Sequence, residues 1–474
     1  MFTSLRASKQ MRSHQVPEMH RVPLTEVVLQ IKKLGVGDDG ARQGAGDAAA
    51  FLAGALEPPA PAAVASAVAT LREIGALERS RTASFEKNDG GGSLTPLGHH
   101  LASLPVDCRV AKMLVYGALL SCVSPTLTVA ACLSYKSPFA DAGRGPTASG
   151  SGGESAFFRH ALAKPGAGGL AAGEQSDHLT YAEAYARWAA AVSEAERSGG
   201  ERVARDVGKR HAAKHGLSLE TLRSIAEMRS QYAALLRDAG FLEDSCFEKE
   251  REGHARHKNT RFDAKAPFGW ADDPRAPWNA EANAAPVAKA VLAAGLYANV
   301  AALEEEAVSN DAKADKTGSD LARWRDAKGA LGVHASSVNA KLARRGAAGL
   351  GAATQHPSHP FLTFHEKVKT HRVFARDCTV VAPAALLLFG GEMEVKHESG
   401  RVCLDGWLWL RASAQTAAVF RRARAALDAA LAARVKEARR RKTSQSDEKK
   451  PARENDGGRQ VVLAVRALLN DKTV

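Results

Sequence analysis

The spacing of apolar positions changes along the chain and predicts three successive regions. From Leu24 to Leu104 a helical spacing is followed by a short alternating stretch and a further helix. From Pro105 to about Val308 apolar residues recur almost throughout at helical spacing. Beyond Lys328 apolar and polar residues alternate, which is typical of strands. The pattern therefore predicts a small α/β module, a helical middle and a β-rich third region, in that order.

The first region has the order of a winged helix, in which helices precede a hairpin. A stripe of apolar residues predicts the first helix, and a second helix starts at a group of prolines and ends at Gly75. Thr95 is placed to cap the next helix, whose first residue is Pro96. The stripe consists of Leu24, Val27, Val28 and Ile31, and the prolines are Pro58, Pro59 and Pro61. Two short strands are expected around an exposed turn at 75–98. Because the second helix has almost no basic side chains, we expect a structural winged helix and not one that reads DNA.

The helical middle contains one stretch that allows two interpretations. In SDHLTYAEAYARW (176–188), Asp177 is placed to cap a helix, and Tyr181, Tyr185 and Trp188 follow at helical spacing. A row of exposed aromatic residues can stack on bases, but aromatic residues at this spacing more often belong to a core. We therefore expect the aromatic stripe to be buried.

The third region predicts a β-barrel followed by helices. Stretches 361–381 and 385–412 alternate and contain the turn sequences GG, ESG and DG, so we expect a five-stranded antiparallel barrel. A long helix is expected at 415–441, and a polar, disordered linker separates it from a short helix at 459–469.

Gly-rich stretches interrupt these patterns in four places. They cannot bury enough apolar surface to order themselves, so we expect flexible insertions. Their positions are 35–47, 140–153, 163–175 and 343–355.

The composition indicates nucleic acid as a partner and argues against a membrane. The 65 Lys and Arg residues exceed the 52 Asp and Glu residues, and the net charge of +13 attracts polyanions, of which nucleic acid is the most common. Much of the excess lies beyond Ala412, so a protein with a basic tail is the simpler alternative. No apolar run approaches the roughly 18 residues of a membrane span, and we expect no membrane partner. The six dispersed cysteines indicate reduced thiols in the cytoplasm or the nucleus.

A series of short motifs follows in a distinctive order along the chain. They are PEMHRVPL (17–24), FLAGALEPP (51–59), IGALE (74–78), LTPLGHHLASLPVD (94–107), KMLVYGALLSC (112–122), LSYKSPF (133–139), SDHLT (176–180), VLAAGLYANVA (291–301), VHASSVN (333–339) and FHEKVKTHRVFARDCT (364–379). Together they resemble the C-terminal half of the eukaryotic DEAH/RHA-type RNA helicases. DGWLWL (405–410) and LLLFGG (386–391) resemble the branch that contains the ribosome-associated initiation helicase.

The resemblance implies a multidomain, mainly α fold. In this fold a winged helix and a helical ratchet (HA2) bundle precede a five-stranded OB-fold barrel and a C-terminal helix. The implied segments are the edge of a second RecA-like domain at 1–16, the winged helix at 17–104, the ratchet domain at 105–327, the OB-fold at 328–412 and a basic C-terminal segment at 413–474. Residues 1–17 are basic, Ser-rich and free of carboxylates, which also suits an organelle targeting peptide. The resemblance favours the domain edge.

The motor motifs of the family do not occur in this sequence. Phosphoryl transfer in such helicases needs a GxxxxGKS/T loop, a DExH box and arginine fingers. None of these is present in the 474 residues, so we expect no ATPase activity from this chain alone. The resemblance implies that ATP and Mg²⁺ bind to RecA-like motor domains outside it, and no metal or cofactor site is expected within it.

The candidate RNA-binding residues lie in three of the motifs. In KVKTHRVFAR, strand alternation places Lys367, Lys369 and His371 on one side. The resemblance adds barrel residues near the RNA exit, a turn in VHASSVN and the start of SDHLT. The full set is Lys367, Lys369, Thr370, His371, Arg372, Arg376, Thr379, Ser336, Ser337, Asn339, Asp177 and His178. A solvated charged strand with turn-capping serines, and a helix-capping Asp177, would explain the same residues without RNA.

Three hypotheses about function follow. In the first, the chain is the RNA-binding part of an ATP-dependent helicase, with single-stranded RNA and the motor half as partners and the ribosome as a further one. In the second, it is a motor-less RNA-binding adaptor. A winged-helix transcription factor is the third, and the non-basic second helix argues against it.

Overall fold

The computed structural model describes most of the chain in ten stretches. They are 14–35, 47–78, 92–140, 156–162, 169–242, 270–304, 321–343, 355–370, 372–443 and 456–471. The predicted Gly-rich insertions, the first thirteen residues and the predicted polar linker lie largely outside them. The chain divides into two compact units, one that ends at Cys108 and one that begins at Arg109.

The first unit has the helices expected of a winged helix. They are α1 (Thr25–Leu34), α2 (Ala48–Ala53), α3 (Pro61–Ile74) and α4 (Pro96–Leu101). The local signals act as predicted: Gly75 ends α3 in the left-handed region at φ 85°, and the Thr95 hydroxyl caps α4 by accepting from the N–H of Gly98. Of the predicted hairpin, the described residues show a bridge between Leu77 and Leu94, and residues 79–91 lie outside the described part.

The second unit begins with a helical bundle. Its helices are α5 (Cys108–Leu119), α6 (Val123–Ser134), α7 (Ala156–Ala161), α8 (Asp177–Lys214), α9 (Leu219–Asp238) and α10 (Ala285–Leu296). α6 and α10 are buried along nearly their whole length and form the centre of the bundle. α8 is broken at Gly200, where φ is 77°. Its halves fold back on each other, so that the Trp188 indole N–H donates to the carbonyl of Gly208 at 3.2 Å.

The aromatic stripe of α8 is core, as predicted. Tyr181, Tyr185 and Trp188 are 3%, 2% and 6% exposed. The Arg229 guanidinium of α9 lies over the Tyr185 ring at 4.7 Å from its centroid. These rings therefore hold the bundle together and are not available to stack on bases.

A closed five-stranded barrel follows the bundle. Its strands are β1 (Val300–Leu303), β2 (Trp324–Asp326), β3 (Gly329–Val333), β4 (Phe361–Lys369) and β5 (Val373–Val381), in the order β1-β2-β3-β5-β4. Neighbouring strands are antiparallel except β3 and β5, which are parallel. Trp324, Leu362 and Phe364 fill the interior. This topology confirms the predicted OB-fold class.

The predicted strand content of the barrel was wrong. Residues 385–412 do not belong to it: they form α11 (Pro383–Phe389) and a separate sheet of β6 (Met393–Lys396), β7 (Arg401–Leu404) and β8 (Leu408–Arg411). β1 and β2 instead precede residue 328, where the β-region was expected to begin. The physical reason is that β1 to β3 have only three to five residues each, too few for a clear alternation, whereas PAALLLF is apolar on every side and fits a strand or a helix equally.

The C-terminal helices are those predicted, within three residues at each end. α12 covers Ala414–Thr443 and α13 covers Asp456–Asn470. Arg424 of α12 donates to the carbonyls of Leu387 and Gly391, which ties α12 to α11 and the following turn. In the described part of the chain, no helix is both long enough and apolar enough to cross a bilayer.

The close packing at Gly98 provides a test of the first unit. A Cβ added to Gly98 would lie 2.0 Å from the Ala76 carbonyl oxygen, which belongs to the backbone and cannot move aside cheaply. We expect Gly98→Ala to destabilise this unit by at least about 2 kcal/mol, measured as a lower urea midpoint of its unfolding transition. Gly54→Ala is the matched control, since its added Cβ would meet only the Phe51 carbonyl at 3.5 Å. Equal midpoints for the two variants would contradict this packing.

Candidate nucleic-acid interface

The start of α8 is attached to the barrel by a cluster of buried polar side chains. Ser176 accepts from the N–H of Leu179 at 3.1 Å and is the N-cap of α8. The prediction that Asp177 is the cap was therefore wrong by one residue. A cap must precede the helix in extended backbone, and Ser176, not Asp177, has that conformation.

Asp177 instead binds two separate segments of the barrel unit. One carboxylate oxygen accepts from the N–H of Val338 at 2.8 Å and the other from the N–H of Cys378 at 2.7 Å. The side chain is fully buried. Burial raises the pKa of Asp177 to about 7, against the lowering effect of the Ser337 hydroxyl and of the two N–H groups.

Thr379 of β5 is the second centre of this cluster. Its Oγ1 lies 2.7 Å from Oγ of Ser176 and 2.7 Å from Nδ1 of His178. Burial lowers the pKa of His178 to about 4, so the imidazole is neutral at physiological pH. Asn339 completes the cluster by donating from Nδ2 to the carbonyl of Cys378 at 3.1 Å.

We call these residues the junction cluster, because they join the bundle to the barrel. The cluster consists of Ser176, Asp177, His178, Ser337, Asn339 and Thr379, and none of them is more than 2% exposed. Five of the predicted RNA-binding residues thus lie inside the protein, where they position α8 against β5. Their contact with RNA stays a prediction. Ser336 is 8% exposed and lies within 2.8 Å of Nδ1 of His334.

Gln175 supports the same junction and was not predicted. Its Nε2 donates to the carbonyl of His356 at 2.7 Å, and its Oε1 accepts from the N–H of Ser358 at 2.8 Å. The backbone carbonyl of Gln175 accepts from the N–H of Val380. Its φ of 50° lies in the left-handed region, and nothing in the neighbouring sequence predicts this conformation.

The β4–β5 hairpin carries the exposed part of the predicted set. Lys369, Thr370 and Arg372 are exposed, and the N–H of Thr370 donates to the carbonyl of Arg372 at 2.9 Å across the turn. His371 lies outside the described residues. The hairpin therefore exposes Lys369 at the end of β4 and Arg372 in the turn that follows.

Two further predicted cations have protein partners. Lys367 forms an ion pair with the nearly buried Asp326 and lies over the Phe364 ring at 5.4 Å from its centroid. Partial burial lowers the pKa of Lys367. Arg376 pairs with Glu366 at 2.9 Å.

The strand register separates these two cations further. Lys367 lies opposite Ala375, and Arg376 lies opposite Glu366 in the adjacent row. Adjacent rows of an antiparallel pair point to opposite faces. The structure thus does not bring Lys369, Thr370, Arg376 and Thr379 to one surface: Thr379 is buried and Arg376 points away from Lys367.

Among the described residues there is also no group of three His, Cys, Asp or Glu side chains arranged to hold a metal ion.

Three family models match successive parts of the chain. The helicase associated domain (HA2), winged-helix, matches residues 67–106, and its ratchet-like counterpart matches residues 107–181. The oligonucleotide/oligosaccharide-binding (OB)-fold matches residues 288–393. This last match includes all five barrel strands.

Curated relatives extend over nearly the whole chain. The chain is 36% identical, over 91% of its length, to 26% of a "DExH-box ATP-dependent RNA helicase DExH4, chloroplastic" from Arabidopsis thaliana. It is 30% identical, over 88% of its length, to 24% of the "ATP-dependent RNA helicase DHX29" from Homo sapiens. It is 29% identical, over 92% of its length, to 34% of the "ATP-dependent DNA/RNA helicase DHX36" from Homo sapiens. The chain therefore spans only about a quarter to a third of the length of these relatives.

The two titratable groups of the junction cluster predict opposing pH effects. The pKa of Asp177 is higher in the folded state, about 7, so its contribution to the free energy of unfolding is lost as pH rises towards 7. The pKa of His178 is lower in the folded state, about 4, so its contribution is lost as pH falls from its unfolded value of about 6.5. Between roughly pH 4 and 6.5, Asp177 therefore makes the free energy of unfolding fall as pH rises, whereas His178 makes it rise.

Asp177→Asn should remove the decrease in the free energy of unfolding with rising pH that Asp177 causes. We expect the variant to lose about 1–3 kcal/mol, because an amide cannot accept both N–H groups. Relative to wild type its stability should then rise with pH by up to about 1.4 kcal/mol per unit between about pH 4.5 and 6.5. Urea unfolding across this range measures the difference.

Two further variants complete this test. His178→Gln should show the opposite slope, whereas Glu194→Gln, which removes an exposed carboxylate of α8, should follow the wild-type profile. Parallel profiles for Asp177→Asn and wild type would show that Asp177 is not protonated in the folded protein.

Proposed function

Because this chain belongs to the DExH-box RNA helicases and carries their helicase-associated and OB-fold domains, we propose that it binds single-stranded RNA and helps an ATP-driven motor to translocate along it. In this proposal the ratchet bundle and the barrel close a channel over the RNA. The motor half binds ATP and Mg²⁺ and lies outside this chain. The ribosome is a further partner, proposed on the resemblance to the initiation-helicase branch alone.

The observation that carries the proposal is the surface of the β4–β5 hairpin. OB-fold barrels bind nucleic acid through basic side chains for phosphates and through loops at the barrel rim. Lys369 and Arg372 are exposed at such a hairpin, and its sequence is the most basic of the barrel. Both side chains are exposed, so a phosphate can approach them from the solvent.

The junction cluster supports the mechanical part of the proposal. A channel wall that is to push against RNA must not yield where two domains meet. The two N–H groups held by Asp177 and the contacts of Thr379 fix the first turn of α8 to β5 through buried hydrogen bonds. If these contacts broke inside the protein, each unsatisfied group would cost about 1–3 kcal/mol. Bundle and barrel would therefore move as one body.

Charge reversal at the hairpin tests RNA binding. Lys369→Glu and Arg372→Glu should each weaken the binding of labelled single-stranded RNA severalfold and reduce the slope of log K against log salt by about 0.7. Fluorescence anisotropy at several salt concentrations gives both quantities. Each lost cation removes one phosphate contact, and so the two effects must appear together.

A surface lysine elsewhere in the same unit is the control. Lys209 is exposed on α8, and Lys209→Glu changes the net charge by the same amount. It should alter the salt slope by much less than the hairpin variants do. Binding that does not depend on salt, or equal losses in all three variants, would remove the hairpin from the RNA site.

A further inference from the structure

The separate sheet β6–β7–β8 has two faces of opposite character. In its register, directly opposite residues form four rows, and alternate rows share a face. Two of the rows are apolar: they comprise Met393, Leu404 and Leu408, and Val395, Val402 and Leu410, all of which are buried except the half-buried Val395. This face packs towards α12, where Phe420 is buried and Arg421 donates to the carbonyl of Met393.

The other face presents cations and one aromatic ring. Lys396, Arg401 and Arg411 stand opposite one another in a single row across the three strands, and all three are exposed. With strands about 4.8 Å apart, this row spans roughly 10 Å. The neighbouring row on the same face runs from Glu394 through the buried Cys403 to Trp409, which is 46% exposed.

The acidic residue on this face does not neutralise it. Glu394 lies in the row of Trp409 and forms an ion pair with Lys396 at 3.4 Å. Both side chains are more than half exposed, at 56% and 54%. An ion pair this exposed contributes little free energy, so Lys396 can exchange the carboxylate for a phosphate at small cost.

We propose that this face is a second binding site for single-stranded RNA, with a base stacked on Trp409 and phosphates bound by Lys396 and Arg401. Single-stranded RNA binds to the open faces of small sheets that combine an aromatic platform with basic side chains. The proposal rests on the proposed RNA-binding function and extends it to a surface outside the barrel. It involves neither the hairpin nor the junction cluster.

The aromatic ring favours RNA over an acidic polypeptide as the ligand. Carboxylates of such a polypeptide would satisfy Lys396 and Arg401 but would leave Trp409 in water. A nucleotide offers a negative charge and a flat apolar surface in one unit, which matches a cation row beside an indole ring. The sheet also supplies a rigid platform, because its opposite face is buried against α12.

Binding of a U-rich single-stranded RNA to the full chain tests the proposal. Trp409→Ala should weaken the affinity about fivefold or more, since stacking of one base on an aromatic ring is typically lost in this range. Trp409→Phe should retain most of the affinity. RNA should quench the tryptophan fluorescence of wild type more than that of Trp409→Phe.

Two charge variants should change the affinity for RNA in opposite directions. Arg401→Glu should weaken binding and lower the salt slope by about 0.7. Glu394→Gln should strengthen binding, because it removes the negative charge beside Trp409. A purely structural role of the face would not produce this gain. Val419→Ala, which shortens another exposed apolar side chain (52% exposed, on α12), is the control and should bind as wild type does.

The outcomes separate this proposal from the proposed function. If hairpin variants weaken binding while the Trp409 and Arg401 variants bind as wild type, the second site is wrong and the RNA-binding function stands. If wild type binds no RNA, both fail. Polyglutamate serves as the competing probe: quenching of Trp409 by polyglutamate and not by RNA would assign the face to acidic polypeptides and overturn the proposal. Thermal unfolding of each variant confirms that it is folded, which the exposure of the three substituted side chains leads us to expect.

Discussion

The second unit depends on one buried carboxylate that accepts hydrogen bonds from two distant parts of the chain. Asp177 is separated by 161 residues from Val338 and by 201 residues from Cys378, yet it binds the backbone N–H of both. Without this acceptor two buried donors would be unsatisfied, at a cost of about 1–3 kcal/mol each. The same contact sets the position of the α8 N-terminus, and with it the register of the bundle against the barrel.

This constraint explains why residues with the chemistry of RNA binding lie in the interior. Ser, Thr, Asn, Asp and His side chains bind phosphates and sugars, and the same groups satisfy backbone N–H and carbonyl groups at a buried domain junction. Sequence specifies the type of group but not its surroundings. Burial separates the two roles here, because Asp177 and Thr379 have no accessible surface. The exposed cations of the hairpin remain as the candidates for direct contact.

Local features were predictable, and features that depend on distant residues were not. The cap at Thr95, the left-handed Gly75 and the buried stripe of α8 follow from spacing within a few residues, and all were predicted. The short strands β1 and β2 and the helix α11 were not, because three to seven residues carry too little periodic signal and their partners lie far along the chain. The role of Asp177 was missed for the same reason: helix capping is a local explanation, whereas its actual partners are tertiary.

How exposed the ion-pair partner of a cation is decides whether that cation can bind RNA instead. Lys367 is held by Asp326, whose side chain is only 8% exposed, so exchanging this partner for a phosphate would leave a desolvated carboxylate unpaired. Lys396 has an exposed partner and bears no such cost. By this criterion Lys396, on the open face of β6–β7–β8, is available, and Lys369 and Arg372 of the β4–β5 hairpin are exposed to the solvent. A single strand that engages both surfaces would bind more tightly than either surface alone, because the second contact forms at a high effective concentration. A contact of this kind would also suit the proposed translocation, since Lys396 can release a phosphate without breaking a buried ion pair.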